Sequence, residues 1–290
     1  MQQLVSVRWL LARLYEPDLV IVDCRFQLGK PDAGRQAYEE AHIPGAVYLD
    51  LEKDLSAPVG EHGGRHPLPD VAELAKRLGQ AGISNDSRVV AYDDQGGAMT
   101  SRLWWLLTYL GHSSVYVLEE GFTAAWLKAG LIVSSEEKVI FPKNFVAEVK
   151  PDMLADMQEV KAKLGAPGVR LIDSREAPRY RGEVEPIDRV AGHIPGAINL
   201  FWGEAKRADG TWKNADEQRE RFAGAGLDVA QDDDEIIVYC GSGVTATPNV
   251  LALRAAGFKR VKLYAGSWSD WISYAGNPVT TGDEEEAKDI

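Results

Sequence analysis

The chain repeats itself, and that constrains its fold more than any local pattern. "LVIVDCR" and "AHIPGAVYLDL" in the first half return as "VRLIDSR" and "AGHIPGAINLFW" about 150 residues later, so Asp23 answers to Asp173 and His42 to His193. Further on, "VVAYDD" pairs with "IIVYCG", and "YLGHSSVYVLEEGFTAAW" with "AAGFKRVKLYAGSWSDW". A tandem duplication over 290 residues means two similar domains, each long enough to bury its own core. The segment "SSEEKVIFPKNFVAEVKPDMLADMQEV" between the halves mixes charge, proline and apolar residues, which places the boundary near residue 145. The expected domains are residues 1–145 and 146–290.

Each half alternates short apolar runs with amphipathic stretches. Leu19 to Cys24, Arg88 to Tyr92 and Ser114 to Leu118 are rich in Val and Ile. Val169 to Asp173, Glu235 to Tyr239 and Arg260 to Tyr264 read the same way, as strands buried on both faces do. Asp70 to Gln80, Ser101 to Leu110, Ala215 to Ala223 and Pro248 to Ala256 carry apolar residues at helical spacing. Alternating strand and helix predicts an α/β fold, with a mainly parallel five-stranded sheet flanked by helices in each half. Ligands of such sheets sit beyond the carboxyl ends of the strands, where Cys240 falls.

A formal net charge of −12 disfavours nucleic acid and anionic membrane as partners. No apolar run is long enough to span a bilayer, and the start lacks a secretory pattern, so a cytoplasmic protein is expected. Two cysteines, Cys24 and Cys240, are too few for a disulfide framework and lack the spacing of a zinc site, so neither metal nor cofactor is expected. The tail "TGDEEEAKDI" reads as a solvated terminus.

The stretch "VYCGSGVTATPN" carries the chemistry. It ends a buried strand in Cys240 and starts a helix, with Thr247 as expected N-cap and Pro248 at the first helical position. Between them, Gly241, Ser242, Gly243, Val244 and Thr245 can turn their N–H groups inward, because glycine permits positive φ. Those donors and the helix dipole stabilise negative charge on the sulfur, which favours a nucleophilic thiolate. The competing reading of Cys240 is a small buried hydrophobe.

With its duplication, its two HIPGA segments and the run Cys240-Gly241-Ser242-Gly243-Val244-Thr245, the chain resembles the two-domain rhodanese-type sulfurtransferases, and among them those acting on 3-mercaptopyruvate. The resemblance covers about residues 5 to 282. It implies tandem rhodanese-like domains and a persulfide on Cys240. The first half has Asp93 at the cysteine position, which cannot carry sulfur, so that domain is expected to be catalytically silent and to close over the second domain's loop.

Thiosulfate-preferring relatives carry Arg and Lys where this chain has Gly241 and Ser242, so the neutral loop points to 3-mercaptopyruvate. Its carboxylate then needs an arginine further off. Arg179 matches the family's substrate-binding arginine, suited to a bidentate clamp. A second arginine is usual near the place held here by Ile187, and Arg189 is the nearest substitute. Protonating the departing enolate calls for a general acid. The resemblance implies a relay of Ser242, His42 and Asp32, with the other reading of His42, like His193, being a turn cap in both domains. Thiol acceptors such as thioredoxin or glutathione, or cyanide in the laboratory, are implied by the resemblance alone.

Three rivals stay in view. Thiosulfate:cyanide sulfurtransfer is the nearest. A cysteine phosphatase shares a cysteine-initiated anion loop but needs a loop arginine where this chain has Ala246. A non-enzymatic sulfur carrier is the third. Cys24 is expected to be core, and Phe26 either core or site lining.

Overall fold

The computed structural model describes residues 3–231 and 234–283, so most of the acidic tail lies outside the described residues. The chain forms two units that divide between Lys150 and Pro151. Each unit also includes a short piece of the other half: Pro58–Leu68 belongs to the second unit and Ala208–Trp212 to the first.

In the first unit the order is β1 (Leu4–Val5), α1 (Val7–Leu11), β2 (Leu19–Asp23), α2 (Ala33–Glu40), β3 (Val47–Tyr48), α3 (Val71–Gln80), β4 (Arg88–Tyr92), α4 (Ala98–Tyr109) and β5 (Val115–Leu118). The strands make one sheet in the order β1-β5-β4-β2-β3, every pair parallel. The second unit runs β6 (Leu154–Ala155), α5 (Met157–Ala162), β7 (Val169–Asp173), α6 (Ala177–Tyr180), β8 (Ala197–Asn199), α7 (Ala215–Ala223), β9 (Glu235–Tyr239), α8 (Thr247–Ala256), β10 (Val261–Tyr264) and α9 (Ser267–Trp271). Its sheet has the order β6-β10-β9-β7-β8, again parallel throughout. The two units therefore share one topology, as the repeat predicts.

The central strands β4 and β9 are almost wholly buried, which their unbroken apolar sequences require, since helices cover a parallel sheet on both faces. Helix starts follow capping chemistry. Asp70 accepts from the N–H groups of Ala72 and Glu73 at the start of α3, and Asn214 with Glu217 closes a capping box on α7. Helix α8 differs from the expected start. Its first residue is Thr247 itself, whose hydroxyl donates to the Val244 carbonyl at 2.7 Å instead of capping the helix, and no side chain caps it.

The duplicated motifs build matching buried networks. In the first unit Tyr92 Oη donates to Asp23 Oδ2 at 2.7 Å, and Asp23 also holds Arg25 at 2.6 Å. The Ile43 N–H donates to Tyr92 Oη at 3.3 Å. In the second unit Asp173 holds Arg175 at 2.6 Å, and the Ile194 N–H donates to Tyr239 Oη at 3.1 Å. Each network ties an HIPGA turn to the middle of its sheet. These buried charges are paired and hydrogen-bonded, which is the condition for keeping them out of water. Among the described residues no helix is long and apolar enough to cross a membrane.

Candidate active site

Cys240 directly follows β9, the middle strand of the second sheet, and is fully buried. Its N–H donates to Ser267 Oγ at 3.1 Å, and its carbonyl accepts from the Trp268 N–H at 3.0 Å. The Gly241 carbonyl accepts from the Ser269 N–H at 3.0 Å. The loop is thus anchored on the start of α9, where Ser267 holds the one positive φ of a non-glycine residue among the described residues, 56°.

One glycine in the loop is required by space. Gly243 has φ 74°, and a methyl group there would sit 2.1 Å from the Ala265 carbonyl oxygen. At Gly241 a methyl group would lie 2.8 Å from Arg65 Nη2 and 3.6 Å from Arg179 Nη2. The neutral residue after the cysteine is therefore covered by guanidiniums brought from other segments. The N–H groups of Gly241, Ser242, Val244, Thr245 and Ala246 reach no acceptor among the described residues.

The site residues expected from sequence are distributed as follows. Cys240, Gly241, Ser242, Gly243, Val244 and Thr245 form the continuous loop ahead of α8. Arg179, on α6, stands beside it. Arg189 donates through Nη2 to the Ile272 carbonyl at 2.6 Å, and with Arg65, Asp188, Ser269 and Ser273 it lines a cavity of about 410 Å³.

Two residues differ from the expected relay. Ser242 Oγ has a histidine partner, but it is His66, whose Nδ1 lies 2.8 Å away. His42 belongs to the first unit, where its ring is fully buried, stacks on Tyr38 with centroids 4.0 Å apart, and shares a 2.7 Å hydrogen bond with the Tyr38 carbonyl. His193 repeats that arrangement with Tyr180, at 3.8 Å and 2.8 Å. Both histidines also bridge by backbone to a later segment, Ser134 and Thr280 respectively. The turn-supporting reading of His42 fits this geometry. Asp32 is exposed and pairs with Lys53 at 3.1 Å. Phe26 and Cys24 are buried, and burial, with the Asp23 and Asp93 charges, pushes the Cys24 thiol well above its ordinary value, so it stays protonated.

Sequence reasoning passed over "EHGGRHP", which supplies Arg65 and His66. Gly63 and Gly64 turn with φ 95° and 79°, and a methyl on Gly64 would lie 2.4 Å from the Gly266 carbonyl oxygen. The Gly63 N–H donates to Asp270 Oδ1 at 2.7 Å, and the Arg65 N–H to Ser269 Oγ at 3.1 Å. These bonds hold the segment against α9. A readable signal was present: a Gly-Gly pair flanked by His and Arg, in a stretch that the duplication does not repeat.

The guanidiniums are themselves paired. Arg179 Nη2 lies 2.7 Å from Glu185 Oε1 and 3.2 Å from Asp188 Oδ2, and Arg65 pairs with the other Asp188 oxygen. Arg175 Nη1 reaches Glu185 at 3.3 Å. Burial raises the Glu185 carboxyl, but Arg179 and the N–H groups of Asp188 and Ile187 outweigh it and hold the group below its ordinary range. The site offers a buried thiol, main-chain N–H groups without an acceptor among the described residues, a Ser–His pair and a set of paired charges.

Comparison with known proteins agrees with this geometry. The rhodanese-like domain family matches residues 6–129 and again 156–274. A probable 3-mercaptopyruvate sulfurtransferase of Pseudomonas aeruginosa is 49% identical over 283 residues, covering 97% of this chain and 99% of that protein. A putative thiosulfate sulfurtransferase of Mycobacterium tuberculosis is 39% identical, covering 97% and 98%. The crystal structure of SseA from Escherichia coli, described under the rhodanese fold of 3-mercaptopyruvate sulfotransferases, superposes with a TM-score of 0.79 at 33% identity, covering 93% of this chain and all of that one. With both halves matched, the chain belongs to the rhodanese-like domain family and carries two copies of the domain.

Proposed function

We propose that the chain is a sulfurtransferase that takes sulfur from 3-mercaptopyruvate onto Cys240 and passes it to a thiol. The observation that carries this reading comes from the duplicated loop. In the first unit the Asp93 carboxylate accepts from the N–H groups of Gln95, Gly97, Met99 and Thr100 at 2.8 to 3.0 Å. Counting the same steps from Cys240 reaches Ser242, Val244, Ala246 and Thr247; the Thr247 N–H is spent on Val244, and the other three lack an acceptor among the described residues. One loop thus holds a built-in anion, and its duplicate has a cysteine at that position and N–H donors without an acceptor among the described residues. That supports stabilisation of a thiolate and of a terminal persulfide by main-chain dipoles.

In the chemistry that follows, the Cys240 thiolate attacks the donor's sulfur. An S–S bond forms, the C–S bond breaks, and the electron pair leaves on carbon as the pyruvate enolate, which takes up a proton. The Ser242–His66 pair is placed to relay that proton. The acceptor thiolate, such as that of thioredoxin or glutathione, then attacks the outer sulfur and restores Cys240, giving ping-pong kinetics. Arg179 is the first candidate for the donor's carboxylate, and Arg189, with the cavity it lines, the second. A cytoplasmic setting suits two free, buried thiols.

Mass spectrometry after incubation with 3-mercaptopyruvate should find one extra sulfur atom on Cys240, absent from Cys240→Ser. No adduct on the wild-type chain would overturn the reading. The rival donor is thiosulfate, and a kcat/KM comparison of the two donors on one preparation decides between them.

A further inference from the structure

We propose that Asp188 sets the charge of the donor: by holding Arg65 and Arg179 together over Gly241, it makes the site favour a monoanion over a dianion. The inference rests on the sulfurtransferase reading above. Arg179 already has both oxygens of Glu185, at 2.7 and 3.2 Å, so it does not need Asp188 to be paired. Asp188 nonetheless reaches Arg179 at 3.2 Å with one oxygen and Arg65 with the other. Its side chain is only 4% exposed. Its N–H and that of Ile187 both donate to Glu185 Oε1 at 3.1 Å, so the turn that presents it is pinned by the same glutamate.

The tally around the loop follows. The guanidiniums of Arg65, Arg175 and Arg179 face the carboxylates of Asp173, Glu185 and Asp188, and within this paired set the formal charges cancel, while Arg189 on the cavity wall and Asp270 on α9 add one charge of each sign. A donor anion arriving over Gly241 meets guanidiniums whose charges are already balanced by carboxylates. Removing the Asp188 charge leaves one positive charge uncompensated beside the loop. Coulomb energy is linear in ligand charge, so a variant that tightens a monoanion n-fold tightens a dianion roughly n-squared-fold, whatever the local dielectric.

The test uses the full chain and two inert probes, pyruvate as monoanion and sulfate as dianion, with calorimetric binding and KM for both donors measured in parallel. Asp188→Asn should tighten pyruvate roughly threefold and sulfate roughly tenfold. KM for thiosulfate should fall by a larger factor than KM for 3-mercaptopyruvate, while Asp188→Glu, which keeps the charge, should change KM for the two donors by the same factor. Equal changes for both probes, no change, or an Asp188→Glu that behaves like Asp188→Asn would overturn the proposal. Asp188→Ser is carried alongside; if neither neutral variant folds, Asp188 is a folding residue and the proposal falls. Calorimetry needs no turnover, so failure of wild type to transfer sulfur would sink the functional reading separately.

Discussion

Ser242 Oγ lies 2.8 Å from His66 Nδ1, both side chains are buried, and Ser242 is two residues past Cys240. In the proposed chemistry the pair serves a leaving group that must be protonated. Pyruvate enolate needs a proton at carbon, whereas sulfite, the leaving group from thiosulfate, does not. His66→Asn and Ser242→Ala should therefore each lower kcat with 3-mercaptopyruvate by roughly 10²-fold while costing thiosulfate turnover no more than a few-fold. Steady-state assays with both donors check this, and equal losses would reduce the pair to a structural contact.

His42 and His193 make matching hydrogen bonds and stacks in the two units. His42→Ala and His193→Ala should each destabilise by about 1–3 kcal/mol, because a buried carbonyl loses its partner. Urea unfolding measures that loss. Activity per folded molecule should hold for His42→Ala; a selective drop in kcat with stability intact would return His42 to the proton relay.

Asp93 accepts four main-chain N–H groups while only 2% exposed. Asp93→Ala strands those donors, and with each buried unsatisfied group costing about 1–3 kcal/mol, a total loss above about 3 kcal/mol is expected. Asp93→Asn, which keeps one acceptor oxygen, should lose less. Denaturant melts of the three proteins give the ranking, and a harmless Asp93→Ala would contradict the bound-carboxylate picture.

Glu185 titrates below the ordinary glutamate value of 4.5 in the folded protein. A depressed carboxyl contributes stability that is complete above the unfolded value and is lost as pH falls through the folded one. Wild type should thus be more stable than Glu185→Gln at about pH 7, and the gap should close as the pH drops below about 4.5. Urea midpoints for the two proteins across that window test the sign; a gap that widens in acid would show that the Arg179 pairing does not hold the carboxylate charged.

The middle of each sheet was legible in the sequence because β4, β7 and β9 are apolar runs with clear ends, and all three have the expected bounds. The edge strands Leu4–Val5 and Val47–Tyr48 are two residues long and cannot display a period, so nothing local announces them. The cysteine loop was legible because it is continuous in sequence and Gly243 has a mechanical reason to be there. Arg65 and His66 were not, because they reach Ser242 and Gly241 from a stretch more than a hundred residues earlier, in a segment outside the repeat. His42, implied for the relay by the resemblance, makes the same Tyr stack and carbonyl hydrogen bond as His193, which is the turn-supporting alternative that the duplication itself suggested.

The carboxylate that fills the first loop also fixes an arithmetic. A cradle already occupied by its own side chain is closed to exchange, so of the two copies only the second is open to the proposed sulfur transfer. Each chain should then store a single labile sulfur, and cyanide titration of the fully charged protein should reach its end point at one equivalent despite the doubled architecture.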